Sequence, residues 1–200
     1  MAKKYYAVKN GRQIGIYETW EECKQQVIEF SGAEYKAFST REEANNYING
    51  EDPTQGLDIP DDILCAFVDG SFDVATNRYG SGMVLLYQGE EKTFYKAGEH
   101  PTLVSMRNVA GEITASVMAM RYAITNHFPK LIIYHDYEGI SKWCLGEWKT
   151  EREGTKMYKE FYDSIKDKLT VTFIKVEAHT GNHYNELADE LAKKSLGIEK

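Results

Sequence analysis

Two hundred residues with a formal net charge of −7 fit one ordinary domain, or a small domain joined to a medium one. With 42% apolar and 28% charged residues the chain buries a core, and no window approaches the uncharged apolar length of a membrane span. The acidic balance argues mildly against a nucleic-acid binder, yet residues 1–50 carry 7 Lys+Arg against 7 Glu, so the whole excess lies in the remainder. Cys23, Cys65 and Cys144 are odd in number and form no CxxC pair, and Met1–Tyr6 shows no apolar signal region. The expectation is a cytoplasmic protein with free thiols, not membrane-bound and with no obligate protein partner evident.

Taken in chain order, Tyr5–Val8 reads as a strand closed by a turn at Asn10-Gly11, and Ile14–Tyr17 as a second strand. Thr19 with Glu22 forms a capping-box pattern ahead of Trp20, Cys23, Val27 and Phe30 at helical spacing. Tyr35–Phe38 reads as a third strand, and Thr40 with Glu43 opens a second helix ending near Gly50. The stretch 49–62 holds two of the four prolines, two glycines and five acids, without periodicity, which marks a linker. The expected division is therefore 1–50, a linker at 51–62, and 63–200.

In the larger piece Ile63–Val68 is a near-continuous apolar run, as for a strand buried on both faces. Gly80–Tyr87 and Lys92–Ala97 read as two more strands. Ile113, Val117, Met120 and Ile124 predict a helix over about 109–127, followed by a buried strand Leu131–His135. Helices at about 138–148 and 154–168, a strand at 170–176 and a helix at about 183–196 complete the chain. The order predicts an α/β fold, a mixed five-stranded sheet flanked by helices, preceded by a small α/β domain.

Four acids stand where such a fold concentrates chemistry. Asp69 and Asp136 each follow a buried strand run, Glu112 lies in the first turns of the long helix, and Asp189 interrupts the last helix. Each also has a plain reading. Asp69 and Asp136 suit turns, Glu112 suits a helix dipole, and Asp189 suits a solvated helix face. Together in one cleft they would repel strongly unless cations neutralise them. Hard divalent ions take oxygen ligands, and two of them about 4 Å apart clamp the attacking and leaving oxygens of a phosphodiester.

From Phe67 onward the chain resembles the catalytic domain of type 1 ribonucleases H. The similarity is carried by Asp69-Gly70-Ser71, by Asn108 with Gly111-Glu112, by Asp136, and by His179-Thr180-Gly181 ahead of Asn185–Ala192. Tyr5–Gly50 is similar to the hybrid-binding domain that precedes many such domains, through Tyr6-Ala7-Val8, Gly11-Arg12, Gly15, Thr19-Trp20 and Tyr35–Phe38. The resemblance implies endonucleolytic hydrolysis of the RNA strand of RNA–DNA hybrids by two Mg²⁺ ions, with Mn²⁺ substituting, leaving 5′-phosphate and 3′-hydroxyl. Asp69, Glu112, Asp136 and Asp189 would hold the metals, and His179 would assist proton movement or product release. Ser71 and Asn108 would contact RNA, while Tyr6, Trp20, Tyr35 and Lys36 would bind the hybrid. Glu138 stands where relatives often have Gln, Ala37 where a second lysine is common, and the short 148–156 segment does not look like the basic loop some relatives insert. Rival readings are another polynucleotide transferase on the same fold, a non-catalytic hybrid-binding protein, and generic binding of double-stranded RNA.

Overall fold

The computed structural model describes residues 4–38, 41–49, 57, 59–177 and 182–198. His179, Thr40 of the second capping pattern, and most of the expected linker therefore lie outside the described residues. The chain divides into two compact units, the first built on residues up to Asp58 and the second on residues from Ile59 onward.

The first unit comprises β1 (Tyr5–Asn10), β2 (Gly15–Tyr17), α1 (Trp20–Val27), β3 (Glu34–Phe38) and α2 (Arg41–Asn49). Its sheet is antiparallel in the order β2-β1-β3. Successive side chains of β1 take opposite faces: Ala7 packs with Phe38 and Ala44, and Val8 with Cys23 and Val27. The capping box is formed, with the Glu22 amide donating to Thr19 Oγ1 and the Thr19 amide to Glu22 Oε2, both at 3.3 Å. The helix expected to reach Phe30 stops at Val27. There the Arg12 guanidinium takes the freed carbonyls of Gln25 and Ile28 at 3.0 and 2.6 Å, and Glu29 turns to φ 54°.

The second unit comprises β4 (Leu64–Asp73), β5 (Arg78–Tyr87), β6 (Glu90–Gly98), α3 (Pro101–Val104), α4 (Asn108–Thr125), β7 (Lys130–His135), α5 (Gly139–Leu145), α6 (Glu153–Ile165), β8 (Thr170–Lys175) and α7 (His183–Ser195). The sheet runs β6-β5-β4-β7-β8, antiparallel through β4 and parallel from β4 to β8. Gln88 and Gly89 join β5 to β6 with φ of 50° and 75°, the left-handed pair of a two-residue hairpin. Leu64, Ala66 and Val68 of β4 point into the main core with Ala110, Ile113 and Met120 of α4 and Ile133 of β7. Phe67 takes the other face, stacked on Tyr134 at 4.3 Å and against Tyr184 of α7 at 5.3 Å between ring centroids.

β4 is longer than its apolar run. Its parallel pairing with β7 ends at Phe67↔Tyr134, but its pairing with β5 continues to Asp73↔Arg78. Asp69 therefore stands at the carboxyl end of the parallel pairing and inside the strand, rather than at the strand's end.

Candidate active site

Glycines decide how closely the helices approach Asp69. A β-carbon on Gly70 would overlap the Asn108 carbonyl oxygen and the Glu112 amide nitrogen, and one on Gly111 would overlap the Gly80 carbonyl oxygen. The second turn of α4 thus lies directly on β4 and β5, and brings Glu112 beside Asp69. On the opposite face, β-carbons at Gly82 and Gly80 would overlap the carbonyl oxygens of Ala188 and Ala192. That contact seats α7, and with it Asp189, against the strand face that carries Asp69. Asp136 follows directly on the last residue of β7, the parallel neighbour of β4.

The electrostatics report the convergence. Burial raises the Asp69 carboxyl to about 8, with Asp136 and Asp189 pushing the same way while the Gly70 amide and Lys193 oppose it. Burial holds Glu112 well above the usual carboxylate range, reinforced by Asp136 and Asp69 and opposed by the backbone amides of Tyr137 and Asp136. Glu112 is 3% exposed and lies beyond the first helical turn, so it is not an exposed complement to a helix dipole. The structure therefore gathers all four acids that the sequence singles out.

Asp69, Glu112 and Asp189 each have a local partner. Asp69 Oδ1 accepts from the Gly70 amide at 2.6 Å, Glu112 Oε1 from the Tyr137 amide at 3.4 Å, and Asp189 Oδ2 from Lys193 Nζ at 2.5 Å. Among the described residues no group of three or more His, Cys, Asp or Glu is spaced to hold a metal ion in this arrangement. The donor chemistry nonetheless fits a hard cation: the cluster offers carboxylate oxygens alone, and they raise one another's affinity for positive charge.

Ser71 is half-buried on β4 opposite Gly80, and Asn108 is exposed at the start of α4, on the rim that Gly70 touches. Glu138 is engaged by two lysines, Lys142 at 2.7 Å and Lys175 at 3.3 Å. Those hydrogen bonds hold its carboxyl below the usual range and keep it ionised, and the two lysines offset its charge beside Asp136.

Sequence reasoning missed a groove of about 340 Å³ whose lining includes Met106, Val109, Tyr137, Trp143, Lys149 and Arg152. Tyr137, Trp143 and Trp148 pack together with centroid separations of 5.7–6.2 Å, and Lys142 lies over Trp148. Three aromatics within a dozen residues of Asp136 are the signal that would have found it.

In the first unit, Tyr6, Trp20 and Tyr35 form a row with centroids 5.8 and 5.7 Å apart. Trp20 is 38% and Tyr35 45% exposed, so neither is a core residue of the small sheet. Lys36 is half-buried on the same strand as Tyr35, with its ammonium over the Phe38 ring.

A fold with these features has known relatives. Residues 61–196 match the RNase H family model, and residues 4–48 match the ribonuclease H1 N-terminal domain. The chain belongs to the ribonuclease H family, the enzymes that cut the RNA strand of RNA–DNA hybrids, and it is an enzyme of that class. Members of the family generally use divalent metal ions. Ribonuclease H1 of Homo sapiens is 26% identical over an alignment covering 95% of this chain and 88% of the human protein. Ribonuclease H1 of Halobacterium salinarum shares the fold of the larger unit, with TM-score 0.56, 20% identity, and 68% of this chain and 98% of the other covered. LC11-RNase H1, solved in complex with an RNA/DNA hybrid, gives TM-score 0.50 at 17% identity, covering 66% of this chain and 99% of the other.

Proposed function

We propose that this chain cuts the RNA strand of RNA–DNA hybrids endonucleolytically at the Asp69–Glu112–Asp136–Asp189 cluster, with two Mg²⁺ ions, leaving 5′-phosphate and 3′-hydroxyl ends. The observation that carries this reading is the seating of Glu112 and Asp189 against Asp69 by the close helix approaches at Gly70 and Gly82, where burial first and the neighbouring carboxylates second raise Asp69 and Glu112. Such a cluster is stable at neutral pH only beside protons or cations.

Asp69 is coupled to both Asp136 and Asp189, so it would help to hold both ions. Glu112 with Asp136 would hold one ion, and Asp189 would help hold the other. Bound divalent ions supply Lewis-acid activation of the attacking water and neutralise charge on the phosphate. The protein's own residues do the remaining work. Ser71 and Asn108, on the rim, would read 2′-hydroxyls, which separate RNA from DNA. His179 would carry a proton or assist product release. The aromatic groove with Lys149 and Arg152 gives the duplex a surface beside Asp136. In the small unit the exposed Trp20 and Tyr35 would lie on sugars while Lys36 bonds phosphate, supplying the grip that an acidic catalytic domain lacks. Three free, buried thiols support a reducing, cytoplasmic setting.

The test is cleavage of an end-labelled RNA–DNA hybrid with Mg²⁺, beside single-stranded RNA, RNA duplex and DNA duplex. Cutting confined to the RNA of the hybrid, abolished by EDTA, is the expected result. Tight hybrid binding without any cutting would overturn it.

A further inference from the structure

His135 has no place in the chemistry above, yet it is the one histidine among the described residues that is fully enclosed, at 1% exposure. It is the last residue of β7. Its carbonyl accepts from the Val176 amide at 2.8 Å and it pairs with Lys175 of β8, so its backbone is fixed by the sheet. The ring stands edge-on to Phe173 at 6.1 Å. Its Nδ1 lies 3.0 Å from the Tyr137 carbonyl oxygen. A carbonyl only accepts, so Nδ1 carries the proton and donates.

The residue on the receiving end is itself a bridge. The Tyr137 amide donates to Glu112 Oε1 at 3.4 Å, and the Asp136 amide also stabilises the Glu112 carboxylate. Two successive amides of the β7–α5 turn thus point at the side chain of α4. The turn that carries Asp136 is clamped on one side by His135 and on the other by Glu112, and the two acids reach each other through one peptide unit.

We propose that His135 is a positioning residue: by donating from Nδ1 to the Tyr137 carbonyl it sets the β7–α5 turn so that Asp136 and Glu112 act as a pair toward a divalent cation. This rests on the reading of Asp136 and Glu112 as cation ligands, and it adds a residue that touches neither ion nor substrate. Ser or Thr at this position would reach less far, and an aliphatic residue would leave the Tyr137 carbonyl with the Ile140 amide, at 3.1 Å, but without the side-chain donor that ties it to β7.

The experiment compares Mg²⁺ and Mn²⁺ binding by calorimetry in the full chain, for the unsubstituted protein, His135→Asn, His135→Leu and His135→Gln. The asparagine amide places an N–H near the Nδ1 position, whereas the glutamine amide places one near Nε2. The asparagine variant is expected to bind within about threefold of the unsubstituted protein, and the leucine and glutamine variants tenfold or more weaker, the range seen when an outer-shell partner of a metal site is lost. Thermal melts in EDTA check that each variant folds, and if the leucine variant does not fold the glutamine variant carries the comparison. Equal affinity in all four proteins, or equal loss in the asparagine and glutamine variants, overturns the proposal. Failure of the unsubstituted protein to bind either ion would instead overturn the underlying metal reading, so the two failures are distinguishable.

Discussion

Gly70 lies so close to Glu112 that the amide nitrogen of Glu112 occupies the space where a side chain on residue 70 would begin. The neighbour of one acid is therefore what admits the other. The same holds across the sheet, where Gly82 leaves room for Ala188, the residue before Asp189. Gly70→Ala is expected to lower stability by about 1–3 kcal/mol through overpacking. It should also weaken divalent-ion binding, because α4 must retreat from β4. Urea titrations of the two proteins check the first effect and calorimetry the second. By contrast Gly89→Ala meets nothing within 4 Å, and should cost about 1 kcal/mol for its positive φ without touching ion binding.

Asp69 binds its proton more tightly in the folded chain than in the unfolded one, with a folded value near 8 against an ordinary 3.8. Its contribution to stability is therefore complete below about pH 4 and is lost as the pH rises through about 8. In EDTA, Asp69→Asn removes that loss, and should raise stability at pH 8.5 by about 1–2 kcal/mol, roughly 2–8 °C in Tm, with little gain at pH 4. Differential scanning calorimetry at the two pH values checks this. Added Mg²⁺ should raise the Tm of the unsubstituted protein and leave the variant nearly unmoved.

Lys193, one turn beyond Asp189 on α7, is a cation already seated in the acidic cluster at 2.5 Å from Asp189 Oδ2. Lys193→Met leaves the acids more negative and frees Asp189, so divalent-ion affinity should rise several-fold while stability in EDTA falls by about 1 kcal/mol or less, the scale of a part-exposed pair. Calorimetric titration with Mg²⁺ reads the first change, and a denaturant melt the second.

The row Tyr6–Trp20–Tyr35, exposed at Trp20 and Tyr35, makes a separate expectation for the small unit. Trp20→Ala should weaken hybrid binding about tenfold, roughly 1.4 kcal/mol, from lost packing of the indole on the sugars, with the turnover at saturating hybrid unchanged. Lys36→Ala should instead reduce the slope of log affinity against log salt by about one unit. Fluorescence anisotropy over a salt series separates the two.

How much of this was legible beforehand differs residue by residue. The core strands announced themselves because Leu64–Val68 and Leu131–His135 are buried on both faces, and a run with no polar interruption has few other homes. Glu112 was visible because the helix around it has a clear apolar period. The extent of β4 was not visible, since residues 69–73 are half-buried throughout and break the apolar run with Asp69, Gly70, Ser71 and Asp73. The four-residue α3 is shorter than any period can register. Engagement of Glu138 by Lys175, 37 residues away, depends on the β7–β8 pairing and has no local signature. The bond from His135 to the Tyr137 carbonyl likewise joins residues across a turn, where neither helical nor strand periodicity applies.

The most direct test of the account is the rate at which Asp69→Asn cuts a labelled RNA–DNA hybrid in Mg²⁺, measured beside its affinity for the same hybrid. The account predicts a loss of about a thousandfold or more in rate, because the shared carboxylate of the cluster is gone, with affinity for the hybrid retained by the small unit. Cleavage within tenfold of the unsubstituted protein would contradict it.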